Sequence, residues 1–551
     1  MWLCAERACG TSDWARKGTH DACGGGAMTG HQYDCIVVGG GHNGLVCAAY
    51  LARGGRSVLV LEAAGEVGGA AVTREFAPGF RVSACAHLLH SMSGAMIRDL
   101  RLEDHGLKFS ARQLPTFALS ADGSSIALGA TALTTSTSPL GSGATVDDAA
   151  AYSKYVGLLN RLAQALRPML ETVPPRLGTD AWADKRSLLQ LGWQIRRLGR
   201  QDMRELLRIG GMNVYDLLKE YFESPLLQGA LGFDAVLGSN FGPRSPGSVF
   251  TLLYRLAGAQ GAPLSQPQGG LGALSHALAA AATSAGAEVR TNAPVERILV
   301  RDHRAAGVVL ASGETITADS VISNVDPQAT FLRLLGAEYL DAGFTRRVSH
   351  LRTRGLAAKL HLAVEDLPKF TGVSADALGG RLLISPSLEY LERAFNHSKY
   401  GEFSNAPAIE ITIPTVNDPT LAPGGKHVLS AVVQYAPYTL KAGWEEGRPQ
   451  FANVILDTIE RYAPGIGKSV ISEQLLTPAD IEREFRITGG HWHHAELAFD
   501  QFFMMRPVPG AAQYQTPVDG LYLCGAGCHP GGGVMGTAGR NAARQVLGQA
   551  A

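Results

Sequence analysis

Length, composition and charge limit the answer before any motif is considered. With 551 residues the chain exceeds one compact core, so we expect two domains or an interleaved pair. Lysine plus arginine and aspartate plus glutamate both total 49, so no basic surface points to nucleic acid as a partner. No window approaches the roughly 20 consecutive apolar residues of a spanning helix, which favours a soluble protein and leaves peripheral membrane contact open.

The N-terminal stretch lacks the apolar segment of a secretory signal. Its basic residues favour organellar import, whereas acidic residues interspersed among them count against it. The sequence therefore predicts a disordered extension over residues 1–30, of which residues 1–27 precede a candidate start at Met28. We expect a cytoplasmic location, or the mitochondrial matrix if the source is eukaryotic.

Residues 34–62, DCIVVGGGHNGLVCAAYLARGGRSVLVLE, follow the order of a buried strand, a glycine-rich turn, a helix and a second strand. Gly39, Gly41 and Gly44 form GxGxxG, which allows a tight turn, a close approach to a pyrophosphate, and close packing of helix on strand. The pyrophosphate would rest on the free N–H groups at the helix N-terminus. Glu62 ends the second strand, where a carboxylate accepts the hydroxyls of an adenosine ribose. This pattern predicts a dinucleotide site, but it does not distinguish NAD from FAD as the ligand.

The segment after Glu62 indicates which of the two cofactors is bound. AAGEVGGAAVTREFAPGF places Gly68 and Gly69 shortly after the acid. It resembles the FAD-binding amine oxidases and phytoene desaturases, in which such a turn passes beside the cofactor. Those proteins usually carry a basic residue two positions before the glycines, whereas this chain has Glu66. The resemblance therefore implies the backbone turn without a charge-assisted phosphate contact at that position.

Two long inserts separate the motifs. The first, 111–264, is mostly helical by its apolar periodicity, apart from TALTTSTSPLGSGAT at 131–145, which is predicted to be a polar loop. The second, 331–499, carries predicted strands in LAAKLHLAV, PAIEITIPTV and HVLSAVVQY.

Between the inserts, residues 266–327 predict a helix, a strand AEVRTNAPVERILV, a hairpin and a further strand. The GGLG at 269–272 does not follow a strand, so it is not a second dinucleotide fingerprint. In the flavoproteins that the chain resembles, this piece completes the FAD domain. The resemblance implies that the backbone of Val295 meets the adenine.

The C-terminal segment 516–547, TPVDGLYLCGAGCHPGGGVMGTAGRNAARQVL, predicts a buried strand, tight glycine turns and a helix from about Gly536. It resembles the C-terminal flavin segment of phytoene desaturase-like proteins, in which this helix N-terminus points at the pyrimidine end of the isoalloxazine. A helix N-terminus there stabilises the negative charge of reduced flavin. The resemblance implies flavin contacts from Gly525, Gly533, Val534 and Met535.

Four segments together resemble one family, that of pyridine nucleotide-disulfide oxidoreductase domain-containing protein 2, a branch of the phytoene dehydrogenase-like flavoproteins. They are DCIVVGGGHNGLVCAAYLARGG, GGAAVTREFAPGF, GGHWHHAELAFDQFFMMRPVPG and GLYLCGAGCHPGGGVMGTAGRNAAR. The resemblance implies FAD and an α/β fold, with a Rossmann-like FAD-binding domain of the amine oxidase type interleaved with an α+β substrate domain. The FAD-binding domain is expected from 31–110, 265–330 and 500–551, and the substrate domain from 111–264 and 331–499.

Three residues are candidates for chemistry beside the flavin. His494 in GGHWHHAEL matches the histidine of the family's GGxxxH pattern, which implies a substrate-side role; packing at a domain junction and a metal site are the alternatives. Lys359 lies in a predicted strand, and the resemblance to amine oxidases implies a lysine near flavin N5; an outward-facing lysine is the alternative. His87 follows the glycine pair, with packing as its alternative.

The pair Cys524 and Cys528 forms CxxxC. A disulfide reductase needs CxxC or CxxxxC at the flavin and a second nucleotide domain, and the sequence shows neither. We therefore predict cysteines that line a flavin loop without redox work, with a reversible disulfide as the alternative.

The leading hypothesis is an FAD-dependent dehydrogenase or desaturase that takes hydride from a largely apolar small molecule to flavin N5 and passes electrons to an acceptor. Two flavin motifs without a pyridine-nucleotide domain motivate it. The alternatives are a redox-neutral polyene isomerase and a regulatory or binding protein with structural FAD.

Overall fold

The computed structural model describes residues 33–129, 132–136, 144–259 and 264–548, so the predicted extension over 1–30 lies outside the described residues. The helices are α1 His42–Arg53, α2 Gly94–Asp99, α3 Val146–Glu171, α4 Trp182–Arg197, α5 Gly199–Ile209, α6 Val214–Tyr221, α7 Pro225–Val236, α8 Ser248–Ala259, α9 Leu271–Ser284, α10 Ala342–Ser349, α11 Leu388–Ser398, α12 Trp444–Glu460, α13 Ile466–Ser469, α14 Pro478–Phe485 and α15 Thr537–Val546. The strands are β1 Tyr33–Val38, β2 Val58–Leu61, β3 Thr73–Ala77, β4 Phe80–Ser83, β5 Phe109–Arg112, β6 Thr116–Leu119, β7 Ser125–Leu128, β8 Leu133–Ser136, β9 Ser265–Pro267, β10 Glu288–Arg290, β11 Val295–Arg301, β12 Arg304–Leu310, β13 Thr315–Ser323, β14 Ala357–Val364, β15 Arg381–Ile384, β16 Ala408–Thr412, β17 His427–Gln434, β18 Val470–Leu476 and β19 Leu521–Leu523.

The first sheet gathers strands from three distant parts of the chain. Its order is β10-β2-β1-β13-β12-β11, with β19 also paired to β13. The pairs among β10, β2, β1, β13 and β19 are parallel, whereas β11, β12 and β13 are antiparallel. Strand β2 is wholly apolar and buried, as a parallel strand covered on both faces requires. Helix α1 packs between α9 and α15, so the predicted N-terminal and C-terminal helices are neighbours.

The single strand predicted over AEVRTNAPVERILV is wrong, because the structure divides it into β10 and β11. Asn292 adopts a positive φ of 52°, and Pro294 has no N–H with which to continue a ladder. The chain therefore turns, so β10 extends the parallel edge beside β2 while β11 pairs with β12 at the other end.

The second sheet contains the predicted strands of the second insert. Its order is β18-β14-β17-β16-β15-β6-β7-β8, antiparallel except for the pair β15 and β6. Leu360 on β14 belongs to an apolar core with Phe451 and Ile455 of α12. Because side chains alternate along a strand, Lys359 and His361 point to the opposite face, where His361 Nε2 donates to the carbonyl oxygen of Ala84 at 3.1 Å. This face of the sheet thus covers the segment that follows the Gly68–Gly69 turn.

The polar loop predicted at 131–145 is wrong over residues 133–136, which form β8 at the edge of the second sheet. β-Branched threonines suit an edge strand, and β7 offers an unpaired side. Residues 137–143 of that predicted loop lie outside the described residues.

The first sheet takes its strands from the predicted FAD-binding segments, and the second sheet takes its strands from the predicted substrate segments. The division into two domains itself stays a prediction. Phe331, Phe344 and Val348 belong to the core of the first sheet, so the stretch just after residue 330 also packs there. Among the helices of the described residues, none has the length and hydrophobicity to cross a bilayer.

Candidate functional site

The glycine-rich turn has the geometry of an anion site. Gly39 adopts a φ of 98° and donates its N–H to the Leu61 oxygen at 2.8 Å. A Cβ on Gly44 would lie 2.3 Å from the Gly39 oxygen, so only glycine allows α1 to start this close to the turn. Helix α1 follows Gly41 with no side-chain cap and no acidic residue in its first turn. Its free N–H groups and its dipole are therefore available to a phosphate.

The carboxylate of Glu62 is held at the end of β2. One oxygen accepts the N–H of Gly40 at 2.7 Å, and the other accepts the N–H of Ala64 at 2.8 Å. Gly68 donates to the Gly40 oxygen at 2.9 Å and adopts a φ of 127°. The turn at Gly68 and Gly69 is thereby fixed beside the first glycine turn, and both face one cavity.

That cavity, called here the cofactor cavity, has a volume of about 660 Å³, within the range of small-molecule sites. Most of the residues predicted to bind the dinucleotide line it: Gly39, Gly41, Glu62, Gly68, Gly69 and Val295. Gly44 and Gly525 are not in its wall. They act by packing, since a Cβ on Gly525 would lie 2.4 Å from the backbone oxygen of Asn324.

The C-terminal segment meets this site from the other side. Helix α15 starts after Gly536, which has a φ of 74°, and has no side-chain cap. A Cβ on Gly539 would lie 2.0 Å from the Asn43 oxygen, so α15 packs directly on α1. Gly533, Val534 and Met535 line a second cavity of about 150 Å³, called here the small cavity.

The two cavities adjoin. His42, Ala70 and Trp492 contribute to the walls of both. Segments that lie almost five hundred residues apart in sequence therefore converge on one composite site, in which the loop just before α15 lines the small cavity.

Several buried polar atoms facing this site have no partner among the described residues. They are His42 Nε2, Asn43 Oδ1 and His494 Nδ1, all on residues that line the cofactor cavity. Buried polar atoms ordinarily have hydrogen-bond partners, so these atoms fit a ligand with polar groups. Together with the uncapped α1 and the fixed Glu62, they fit the pyrophosphate and ribose of FAD.

Glu66, the departure from the family pattern, is neutralised locally by Arg74 at 3.4 Å. Positive charge reaches the cofactor cavity from elsewhere: Arg333, Arg483 and Arg486 line it. No spacing in the sequence links these arginines to the glycine turn, so sequence reasoning missed them.

His494 lies in the wall of the cofactor cavity with a positive φ of 62°. Burial lowers its pKa to about 4, so the imidazole is neutral at pH 7. The histidine-rich stretch forms turns, and His491 Nε2 lies 3.5 Å from Glu496. Within the described residues, no group of three or more His, Cys, Asp or Glu side chains is arranged to hold a metal.

Lys359 is fully buried, so the alternative of an outward-facing lysine is wrong. Its Nζ lies 2.5 Å from His87 Nδ1, and His87 Nε2 lies 2.7 Å from Glu410 Oε1. Two of the three catalytic candidates are thus in direct contact beside the small cavity, which His87 and Glu410 line.

The contacts continue beyond Glu410. Arg381, only 2% exposed, donates to Glu410 and makes a bidentate pair with Asp234 at 2.6 and 3.2 Å. Arg255 lies 3.5 Å from Asp234. We call these six side chains the charged chain: Lys359, His87, Glu410, Arg381, Asp234 and Arg255.

Protonation in the charged chain follows from burial and neighbours. Burial lowers the pKa of Lys359 to about 7 and that of His87 to about 4. Burial alone would raise the pKa of Glu410, but Arg381 and then His87 outweigh it and hold that pKa well below its usual value. Ionised Glu410 accepts the Nε2–H of His87, which leaves Nδ1 to accept from the Lys359 ammonium.

Cys524 and Cys528 are free and buried in the core of the first sheet. Burial raises the pKa of Cys528 to about 12 and that of Cys524 well above its usual value. Both sulfurs are therefore thiols rather than thiolates at pH 7, which is the inert form. This supports the interpretation that they pack beside the site without redox work.

Comparison with known proteins identifies the family. The model of the flavin containing amine oxidoreductases matches residues 44–547. Pyridine nucleotide-disulfide oxidoreductase domain-containing protein 2 of Rattus norvegicus is 39% identical over 548 residues, covering 94% of this chain and 93% of the relative. The chain belongs to the flavin-containing amine oxidoreductases, in the family of pyridine nucleotide-disulfide oxidoreductase domain-containing protein 2.

More distant relatives show the wider group. A limonene dehydrogenase subunit of Castellaniella defragrans is 27% identical, with 94% of each chain covered. A lycopene-forming phytoene desaturase of Pseudescherichia vulneris is 28% identical over 66% of this chain and 69% of its own. Cyclohexylamine oxidase from Brevibacterium oxydans shares the fold at 15% identity, with a TM-score of 0.56 over 94% of this chain and 98% of that structure.

These findings confirm the predicted family, the α/β fold with a Rossmann-type FAD-binding domain, and FAD as the cofactor. The protein is an FAD-dependent oxidoreductase.

Proposed function

We propose that the protein is an FAD-dependent dehydrogenase that takes hydride from a C–H bond of a largely apolar substrate. Bound FAD supplies the hydride acceptor at N5, and an external acceptor removes the electrons. The observation that carries the proposal is the small cavity, which adjoins the cofactor cavity at His42, Ala70 and Trp492 and is lined by the loop that precedes α15.

Apolar side chains make up much of the wall of the small cavity. They are Ala70, Ala71, Ala86, Leu88, Ala235, Leu237, Val432, Trp492, Leu497, Val534 and Met535. Such a wall excludes water and favours an apolar ligand, while a few polar groups fix its orientation. This wall suits a reaction in which the protein positions the substrate beside the cofactor and does not need to polarise one of its bonds.

The chain's own residues hold the reacting region in place. Tyr254 on α8 donates its hydroxyl hydrogen to the Gly532 oxygen at 2.8 Å, which fixes the loop before α15. The uncapped N-terminus of α15 places partial positive charge at the end of that loop. His87 lines the small cavity and contacts Lys359, so a group with a pKa of about 7 lies directly behind the cavity wall.

Two relatives support an apolar substrate. One is named as a limonene dehydrogenase subunit, and another as a lycopene-forming phytoene desaturase. Both names refer to hydrocarbon chemistry. The amine oxidase structures give no comparable support for an amine substrate, since the fold is all that they share with this chain.

The test is anaerobic bleaching of the flavin absorbance of the purified holoprotein by candidate donors, with isoprenoids and apolar lipids first. We expect reduction by an apolar donor in the wild type and in Leu207→Trp, which alters an exposed residue of α5. Leu237→Trp fills the small cavity and should abolish reduction while FAD is retained. Bound FAD that no apolar donor reduces would favour structural FAD, and conversion without net reduction would favour an isomerase; either result overturns the proposal.

A further inference from the structure

The small cavity is also lined by ionisable side chains that ion pairs link to one another, called here its charged end. Asp234 on α7, Arg255 on α8, Glu410 on β16 and His87 all contribute to its lining. A pure hydrocarbon substrate gives no reason to bury four ionisable groups against it, because burying charge costs free energy. The charged end therefore points to a polar group on the substrate.

The two carboxylates of this end are already neutralised. Arg381 donates to both of them, with a bidentate pair to Asp234 at 2.6 and 3.2 Å. Glu410 also accepts from His87, which Lys359 contacts in turn. A cationic ligand group would have to compete with these closer partners.

Arg255 differs from Arg381 in this respect. Its nearest acidic group is Asp234 at 3.5 Å, and its side chain keeps 22% of its surface exposed. Beyond this ion pair its guanidinium makes no hydrogen bond within the described residues, so its N–H donors remain for a ligand. His90 stands in the same cavity, and its Nδ1 has no partner in the described part of the chain.

The net charge of these groups also favours an anionic ligand. The basic groups are Arg255, Arg381 and the proton shared by Lys359 and His87, against the carboxylates Asp234 and Glu410. One positive charge is in excess when the shared proton is present. An anionic group on the ligand would balance it, and a planar carboxylate matches the fork of a guanidinium.

We propose that the substrate is a largely apolar molecule that carries one carboxylate, with Arg255 binding the carboxylate and His90 beside it. This inference rests on the proposed function and deepens it, because it names the class of substrate for the same cavity. The hydrocarbon part contacts the apolar lining residues, which include Val534 and Met535 of the loop before α15, and the acid is held at Arg255.

The test uses the holoprotein and three probes of equal chain length: octanoate, octanamide and octylamine. Binding is read from perturbation of the bound flavin absorbance and from thermal stability, neither of which needs turnover. We expect octanoate to bind at least about tenfold more tightly than octanamide, as one charge-assisted pair provides.

Arg255→Gln should remove this preference, and Arg255→Lys should retain part of it. Asp234 stays paired with Arg381 in both variants, so the fold should survive. The matched control is Arg161→Gln, which alters an exposed arginine of α3 that pairs with Asp202. The control should keep the wild-type preference.

Equal binding of octanoate and octanamide, tighter binding of octylamine, no binding of any probe, or a preference that survives Arg255→Gln would each overturn the inference. A protein that holds no FAD would instead overturn the proposed function. FAD that is retained without any carboxylate preference would overturn this inference alone.

Discussion

Lys359 should make the stability of the protein depend on pH. Burial lowers its pKa from 10.5 to about 7, a difference of about 3.5 pH units. Between these values the unfolded chain keeps the lysine proton and the folded chain loses it. The free energy of unfolding therefore rises with pH through this window, whereas below about pH 7 both states are protonated and the full cost of the buried charge is present.

The magnitude follows from the same numbers. The slope approaches about 1.4 kcal/mol per pH unit above the folded pKa, and half of the folded chains have already lost the proton at about pH 7. The contribution of Lys359 should therefore increase by about 2 kcal/mol between about pH 7 and pH 9. Lys359→Met removes the titrating group, so its stability should lack this rise. Lys359→Met also loses the contact with His87. This changes its free energy of unfolding by an amount that is nearly the same at every pH in the window, because burial keeps the pKa of His87 near 4.

The assay is urea unfolding of wild type and Lys359→Met with FAD in excess, at several pH values across this window. We expect the wild type to gain stability relative to the variant as pH rises. The control is Lys399→Met, which alters an exposed lysine next to α11. Its free energy of unfolding should differ from that of the wild type by the same small amount at every pH. A difference between wild type and Lys359→Met that is constant from about pH 7 to pH 9 would refute the reasoning.

Three further outcomes follow from the site. Gly44→Ala should destabilise the protein more than Gly41→Ala in urea unfolding without FAD, because the first Cβ meets a backbone oxygen at 2.3 Å and the second meets only a side-chain nitrogen at 2.7 Å; equal losses of stability would contradict this. Arg381→Met should lower the free energy of unfolding in urea by about 3–5 kcal/mol, because it leaves the buried carboxylate of Glu410 without its arginine. A loss under about 1 kcal/mol would show that Arg381 does not stabilise this carboxylate. Cys524 should resist thiol reagents in the folded holoprotein and react only after unfolding, and rapid labelling of the native state would show that its thiol is accessible.

The cofactor side of the site could be predicted from sequence because its signals are local. The glycine spacing around Gly41, the acid at Glu62 and the apolar run of β2 each report on a few neighbouring residues. The C-terminal turn and α15 are marked by glycines and helical periodicity in the same way. What joined these distant segments was the resemblance to flavoproteins, and the packing of α15 on α1 agrees with it.

The charged chain could not be predicted, because its members come from separate elements and no spacing connects them. Glu410 and Arg381 are the single charged residues of their strands, and charged side chains in strands usually face solvent. Lys359 and His361 alternate with apolar residues, which is the pattern of a half-exposed strand, but here the polar face covers the loop around Ala84. Tertiary packing, not the pattern of β14, decides that this face is buried.

The break between β10 and β11, by contrast, was available in the sequence. Asn292 and Pro294 are both turn-forming residues, and together they outweigh the β-branched residues around them. The edge strand β8 was harder to predict, since its threonines stand in a stretch rich in serine and glycine.

Two remote glycine turns should enclose a single flavin. The amount of FAD released by heat from the purified chain, measured against protein concentration, tests this directly. We expect one FAD per chain, either as isolated or after incubation with FAD and removal of the excess. A folded protein that carries no flavin and takes up none would contradict it.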